Sequence, residues 1–328
     1  MTLPPPSHPP SQLARLQQVG VLLAGLVSLA GVVGWWPLGW VAWLAACLPW
    51  GAYAGVLALE LLTVPWVHGD DPAPRPRPSE LLRAWWQESV AAPAVFAWRQ
   101  PFVWRRWPDS DHHTAAANAA DTAGAVVFVH GFVCNRGFWH PWMRALRQRG
   151  VPYVSVNLEP VFGPIDNGVP LLEQAVRRAQ ALSPHPPQLV CHSMGGLVAR
   201  AWLAADAANA QRVQRVLTIG TPHHGTWLAR FSHLPNGRQM RPHSPWLQAL
   251  SATEAQQRPA QPYQAFVCWY SNADNVVFPA STATLPGADN RLVRGTAHVA
   301  LAFHPQVMRE ALVLLAPTKA LRYPCQPS

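Results

Sequence analysis

The chain contains a single lysine, Lys319, and charged residues occupy only 12% of its 328 positions. With 49% hydrophobic residues, it can bury a large core, and so little charge leaves apolar surface facing something other than water. Cysteine is sparse and scattered. Cys47, Cys134, Cys191, Cys268 and Cys325 form no C-x-x-C pair, and an odd, widely spread set argues against a disulfide framework and for a reducing compartment. Arginine and lysine exceed acidic residues by 25 to 16, a formal charge of +9, yet the arginines are dispersed and no binding motif appears. That distribution argues against nucleic acid as a partner. The lysine-poor usage reads equally as the mark of a GC-rich genome or as attraction to anionic lipid. No internal repeat is visible.

The length suits one large domain with an appendage. Five prolines in the first ten residues read as a disordered tail, extending to residue 18. Val19 to Gly34 is apolar without a charge. A turn-like Trp35-Trp36-Pro37-Leu38-Gly39 follows, then a second apolar run from Trp40 to Leu62, broken by Pro49 and charged only at Glu60. A membrane helix needs about 20 apolar residues, or about 17 at the short end. The second run meets this, and the first does so by borrowing Leu16 and the Trp pair. Trp35, Trp36, Trp40 and Trp66 fit an interfacial belt. Residues 19–66 are therefore expected to form a transmembrane helical hairpin, with a single span and an interfacial flank as the alternative. A cleaved signal peptide fits poorly, since the start is proline-rich and the apolar stretch too long. Arg15 precedes the first run, Arg75, Arg77 and Arg83 follow the second, and the turn between has no charge. The positive-inside tendency then puts both ends in the cytoplasm.

Residues 67–79 read as an extended, proline-alternating linker. Ser79 is expected to cap a helix with Glu80 in its first turn and Leu81, Leu82, Trp85 and Trp86 on one side. Phe96 to Trp107 alternates enough to suggest one or two outer strands, and Asp109 to Gly124 a loose loop. Beyond Gly124 the pattern turns regular. Strands are expected at 125–129, 151–156, 188–191, 213–219, 264–270 and 291–294, with helices at 138–149, 171–181, 193–207 and 305–315. Apolar strands alternating with helices indicate a parallel, doubly wound α/β sheet.

The most specific local signal is Cys191-His192-Ser193-Met194-Gly195-Gly196, where a strand meets a helix. A nucleophilic serine needs an exposed oxygen, a nearby base and backbone donors for a developing oxyanion. A sharp strand–serine–helix turn supplies the exposure and one N–H, here from Met194, and Gly195 and Gly196 relieve its crowding. Cys191 stands where a first glycine is usual. His130-Gly131-Phe132 follows the strand at 126–129, the place from which the second oxyanion donor comes, here the Phe132 N–H. His130 reads as a loop-structuring side chain. Thr221-Pro222-His223-His224-Gly225-Thr226 follows the strand after the elbow helix. Its paired histidines lack the E-x-x-H or cysteine partners of a metal site.

The run VFVHGF, the CHSMGG elbow and TPHHGT together resemble bacterial lipases and esterases of the α/β-hydrolase superfamily. Asn157-Leu158-Glu159-Pro160 and Gln239-Met240-Arg241-Pro242 are similar to segments of membrane-associated lipases, and the resemblance spans residues 80–316. It implies the α/β-hydrolase fold with a lid or cap insertion at 226–262, a C-terminal tail at 317–328, and a bacterial inner-membrane address. In that fold the acid and base follow the serine in order. Asp274, in the loop after the strand at 264–270, matches the resemblance's S-x-x-D-x-V-V-x-P pattern; Asp289 is the alternative acid, and Asp206 reads as a solvated helix residue. His298, between a strand and the last helix, is the expected base, with His304 as the competitor. The expected activity is hydrolysis of acyl esters, lipid-like in view of the apolar runs, through an acyl-enzyme on Ser193. No cofactor or metal is implied. An acyltransferase or thioesterase with the same residues, and a non-catalytic membrane-anchored scaffold, are the alternatives.

Overall fold

The computed structural model describes residues 10–111 and 124–315. The expected tail up to residue 9, most of the loop at Asp109–Gly124, and the C-terminal tail with Lys319 and Cys325 lie outside them.

Six parallel strands form one sheet in the order β2-β1-β3-β4-β5-β6: β1 (Val126–Val129), β2 (Tyr153–Ser155), β3 (Gln188–His192), β4 (Arg215–Ile219), β5 (Phe266–Tyr270) and β6 (Asp289–Leu292). The chain runs outward from β1 to β2, then crosses back to β3 and proceeds the other way. The sheet thus has its topological switch between β1 and β3, where the carboxyl ends of the strands open a crevice. Strand period sorts the core into two layers. Val127, Val129, Leu189, Cys191 and Val216 face one way. The helices α6 (Gly168–Leu182) and α7 (Met194–Ala205) cover them. Val126, Phe128, Val190, Leu217 and Ile219 face the other way. There α5 (His140–Gln148) and α10 (Pro305–Leu314) close the core. With both faces covered, these strands carry consecutive apolar residues rather than an alternation.

The insertion at 226–262 holds a short helix, Pro235–Gln239, and α8 (Pro245–Gln257). An ion pair without solvent contact fixes α8 to the elbow helix. Arg200 Nε and Nη2 donate to Glu254 Oε1 and Oε2 at 3.0 and 2.6 Å, and Tyr263 Oη donates to Oε2 at 2.7 Å.

The N-terminal segment departs from expectation in several places. α1 (Gln12–Trp35) begins seven residues before the expected apolar run, so residues 12–18 are helix and not tail. Ser11 caps it, and the Glu159 carboxylate accepts from Ser11 Oγ at 2.7 Å and from the Gln12 and Leu13 N–H groups, complementing the positive end of the helix. The second run is two helices, α2 (Trp40–Ala46) and α3 (Leu48–Val67), divided just before Pro49. Two helical stretches, Gln12–Leu38 and Leu48–Val67, are long and apolar enough to cross a membrane. α1 and α2 pack closely: a Cβ on Gly31 would lie 2.8 Å from that of Ala45. α3 presents a stripe, Ala54, Leu57, Leu61 and Val64, to the rest of the protein.

α4 (Pro78–Pro93) starts with proline at its first position, and Glu80 accepts the Arg77 N–H at 2.9 Å, so Ser79 is inside the helix and not its cap. Its buried face is Ala84, Glu88, Ser89 and Ala92, whereas Leu82 and Trp86 point outward. Residues four apart share a helix face and neighbours do not, so the four apolar residues expected on one side are split. The strands expected between Phe96 and Trp107 are absent. A π-helical turn at Ala94–Arg99 and a helical turn at Gln100–Phe102 carry that segment instead.

Candidate active site

β3 ends at His192 and α7 begins at Met194, so the reversal falls on Ser193, which adopts φ 54° and ψ −131°. An L-residue held at positive φ costs of order 1–3 kcal/mol, which the surroundings must enforce. They do so by close approach. A Cβ on Gly195 would lie 2.3 Å from the Val129 oxygen, and one on Gly131 would lie 2.7 Å from the Ser193 Cβ. Only glycine lets the loop after β1 and the elbow meet backbone to backbone. Gly196 faces Thr221 at similar range. The Ser193 N–H donates to the Ile219 oxygen at 2.9 Å, tying the turn to β4. Cys191 stays out of the turn. It is buried in the core on the α6–α7 face, and burial pushes its thiol far up, leaving a packing residue rather than a nucleophile.

Among the described residues, Ser193 Oγ has no hydrogen-bond partner, and neither the Phe132 N–H nor the Met194 N–H is taken by an acceptor. Phe132 is followed by Val133 at φ 53°, a conformation strained for a β-branched residue, which turns the loop sharply after Phe132. His130 is fully buried. Its Nε2 accepts the Leu158 N–H at 3.1 Å, which puts its proton on Nδ1, and Nδ1–H donates to the Gly131 oxygen at 2.9 Å. His130 thereby ties the loops after β1 and β2. His192 lies beneath the site, its ring stacked on Phe138 at 4.4 Å and its Nε2 3.2 Å from the His298 oxygen. Burial holds His192 well below the usual imidazole range, so it stays neutral.

The loop after β5 brings Asp274 against His298, the first residue of the short helix α9 (His298–Ala302). Asp274 Oδ2 and Oδ1 are 2.9 and 3.1 Å from His298 Nδ1, and Oδ1 also accepts the Val276 and Val277 N–H groups at 2.9 and 2.8 Å. Both side chains are buried. Burial disfavours the charged imidazole, but the carboxylates of Asp274, Glu88 and Glu60 outweigh it and raise the His298 pKa above its ordinary value. Gly220, the residue after Ile219, sits directly against this pair: a Cβ there would be 3.1 Å from Asp274 Oδ2 and 3.2 Å from His298 Cε1. Ser193, through Ile219, and the Asp274–His298 pair, through Gly220, therefore meet at the end of β4, on the switch-point edge of the sheet.

The alternatives fall elsewhere. Asp289 pairs with Arg291 at 2.6 Å on the edge strand with its side chain 50% exposed. Asp206 caps the helical turn at Ala207–Gln211, and His304 caps α10. His223 is buried against Thr218 Oγ1, at 3.1 Å, while His224 is exposed. Sequence reasoning missed three participants: Asn275, Glu60 and Glu88, all within the hydrogen-bond network around His298. The signal available was the lone charge of Glu60 in an apolar run. A hollow lined by Leu158, Ile165, Leu171, Met194 and Val198 adjoins the elbow.

The family described as "PGAP1-like alpha/beta domain" matches residues 167–236, from α6 through the elbow to the insertion. The chain is similar to the triacylglycerol lipase of Burkholderia plantarii, 35% identical over 129 residues, a match covering 35% of each protein; the chain thus spans about a third of that relative's length. Among solved structures it is similar to the mature form of Bacillus licheniformis lipase BlEst2, with a TM-score of 0.50 and 19% identity over 60% of this chain and 94% of that one. Aspergillus fumigatus lipase B gives a TM-score of 0.50 and 18% identity over 62% of this chain and 55% of that one. These structural likenesses show the fold. Six parallel strands in this order, with the reversal after β3 on Ser193, give the chain the α/β-hydrolase fold.

Proposed function

We propose that the protein is a serine hydrolase of carboxylic esters, seated on a membrane by its N-terminal helices. One observation carries the reading: a strained serine, buried to 8% exposure, lies beside two backbone N–H groups without an acceptor and a buried Asp–His pair. Ser193 Oγ attacks the ester carbonyl and its proton passes to His298 Nε2. The carbonyl oxygen, now negative, takes the Phe132 and Met194 N–H groups, each worth about 3–4 kcal/mol by analogy with loss of one oxyanion donor. His298 then protonates the departing alcohol, leaving an acyl group on Ser193. Water, deprotonated by the same imidazole, releases the acid. Asp274 accepts from Nδ1–H, which keeps Nε2 free to accept a proton and stabilises the imidazolium. Ser193 has no bond to His298 in the free protein, and such contacts tighten when substrate fills the site.

An acyl ester with a lipid-like tail suits the company of two long apolar helices. Both ends of the hairpin rest on the catalytic unit, α1 through Ser11 and Gln18, and α3 through Glu60. This arrangement supports a hairpin with both ends on one side of the membrane, and the arginine flanks support the cytoplasm as that side. The test is a series of p-nitrophenyl esters of rising acyl length, run beside the matching acyl-CoA thioesters. The reading expects ester turnover that strengthens with chain length. Turnover of the thioesters alone would replace it with a thioesterase.

A further inference from the structure

Two carboxylates from the segment that precedes the sheet have no basic partner among the described residues. Glu60 is the lone charge of the second apolar run, and Glu88 lies on α4 with 3% exposure. Both are spent on the base. α9 begins at His298 with Ala297 at its N-cap, a residue with no side-chain acceptor, so the first three N–H groups of the helix need partners from elsewhere. The His298 N–H donates to Asn275 Oδ1 at 3.1 Å, and the Nδ2 of the same amide donates to Glu60 Oε2 at 2.8 Å. The Val299 and Ala300 N–H groups donate to Glu88 Oε1 and Oε2 at 2.9 and 2.8 Å. A small apolar cluster binds the same parts: Leu57 and Leu61 of α3, Ala84 of α4, and Ala273 and Ala297, the residues before Asp274 and His298. Trp85 Nε1 donates to the Ala54 oxygen at 2.8 Å, locking α3 to α4.

We propose that Glu60 and Glu88 are positioning residues for His298, so that the apolar N-terminal helices complete the active site as well as anchoring it. Glu60 sets the rotation of the Asn275 amide: its carboxylate can only accept, so Nδ2 must face it and Oδ1 must face the His298 N–H. Glu88 fixes the next two peptides of the same turn. The imidazole is then held at Nδ1 by Asp274 and at its backbone by a chain of contacts that starts in α3. The groups that face the imidazole are Asp274, Glu88 and Glu60, all negative when ionised, and the neutral His192. Burial raises the Glu88 carboxyl to about 7, so it adds its full charge only above neutrality; when ionised, the three carboxylates favour the imidazolium that forms when Ser193 loses its proton. A displacement of α3 would loosen the base.

This inference rests on the ester hydrolase reading, and the full chain in detergent tests the two separately. Wild-type protein is labelled with a fluorophosphonate and assayed on a p-nitrophenyl ester, beside Glu60→Leu, Glu60→Gln, Asn275→Ala and the double variant Glu60→Leu/Asn275→Ala. Glu60→Leu is expected to lower kcat about 10-fold with KM unchanged, the size typical for outer partners that orient a functional histidine. Glu60→Gln, which keeps an oxygen for Asn275, recovers most of that loss. It also moves the acidic limb of kcat/KM to lower pH, because one negative charge no longer faces the imidazole. Asn275→Ala gives the same loss from the other side, and the double variant is no worse than either single one, since both break one chain of contacts. Wild-type kcat in Glu60→Leu, or fully additive losses in the double variant, would overturn the positioning role while a labelled wild type keeps the hydrolase reading. A wild type that neither labels nor turns over overturns that reading and this inference with it.

Discussion

Replacing Asp274 by asparagine exchanges one oxygen for an NH2 group, and the structure dictates which. Oδ1 of Asp274 already accepts two backbone N–H groups, from Val276 and Val277, whereas Oδ2 faces only His298 Nδ1, at 2.9 Å. In the variant the amide oxygen must remain with the two backbone donors, because turning it would set NH2 against N–H twice. The amide NH2 is then aimed at His298 Nδ1, which can answer only as an acceptor. The imidazole proton is forced onto Nε2, the nitrogen that must receive the proton of Ser193. Holding the base in the wrong tautomer costs about 10⁴ in kcat in the analogous change of a serine protease, or about 5–6 kcal/mol of transition-state stabilisation. The assay is steady-state turnover of a p-nitrophenyl ester by purified full-length protein, with circular dichroism to verify folding. Asp289→Asn serves as the control, since that carboxylate is on the edge strand with Arg291. A loss below tenfold in folded Asp274→Asn, or an equal loss in Asp289→Asn, would refute the argument.

Glu254→Leu removes half of a fully buried ion pair and strands Arg200, so chemical denaturation should show a loss of about 3–5 kcal/mol. Adding Arg200→Met should restore most of it, and a Glu254→Leu variant as stable as wild type would contradict the anchoring of α8. Because the carboxylates around His298 outweigh its burial, the acidic limb of kcat/KM should lie above the ordinary imidazole value of 6.5, with activity lost as pH falls through it and the base becomes protonated; a limb below that value would contradict the electrostatics. Green fluorescent protein fused at the C-terminus should fluoresce and alkaline phosphatase at the same place should be inactive; active phosphatase without fluorescence would contradict cytoplasmic placement.

The first five strands were legible because they are short apolar runs set off by helices, and the elbow because Ser193 falls at the junction of β3 and α7, whereas the polar edge strand β6, Asp289–Leu292, was expected two residues later, at 291–294. Local patterns misled where they imitated another period. Phe96, Trp98, Phe102 and Trp104 mimic alternation, yet the first three lie on a helical segment that bends through a π turn after Pro93, and Trp104 lies in the turn just beyond it. In α4 the apolar pairs Leu81-Leu82 and Trp85-Trp86 resemble one face, but a turn of 3.6 residues separates neighbours by about 100°. Glu60 and Glu88 were out of reach for a different reason. Their partners lie more than 200 residues further along the chain, at Asn275, Val299 and Ala300, and nothing in a linear pattern reports such a contact. A lone charge in an apolar run signals that something must receive it, but only the packing of α3 against the Asp274 loop says what.

As the nucleophile of an ester hydrolase, Ser193 must carry the covalent adduct of a serine-directed reagent. Intact-mass analysis after fluorophosphonate treatment tests this directly, on wild type and on Ser193→Ala in parallel with ester turnover. The expected result is a single adduct on wild type, mapped to Ser193, no adduct on the folded variant, and turnover reduced on the order of 10⁶-fold, the usual consequence of losing a serine nucleophile. An adduct on the variant, or turnover by it within tenfold of wild type, would contradict the account.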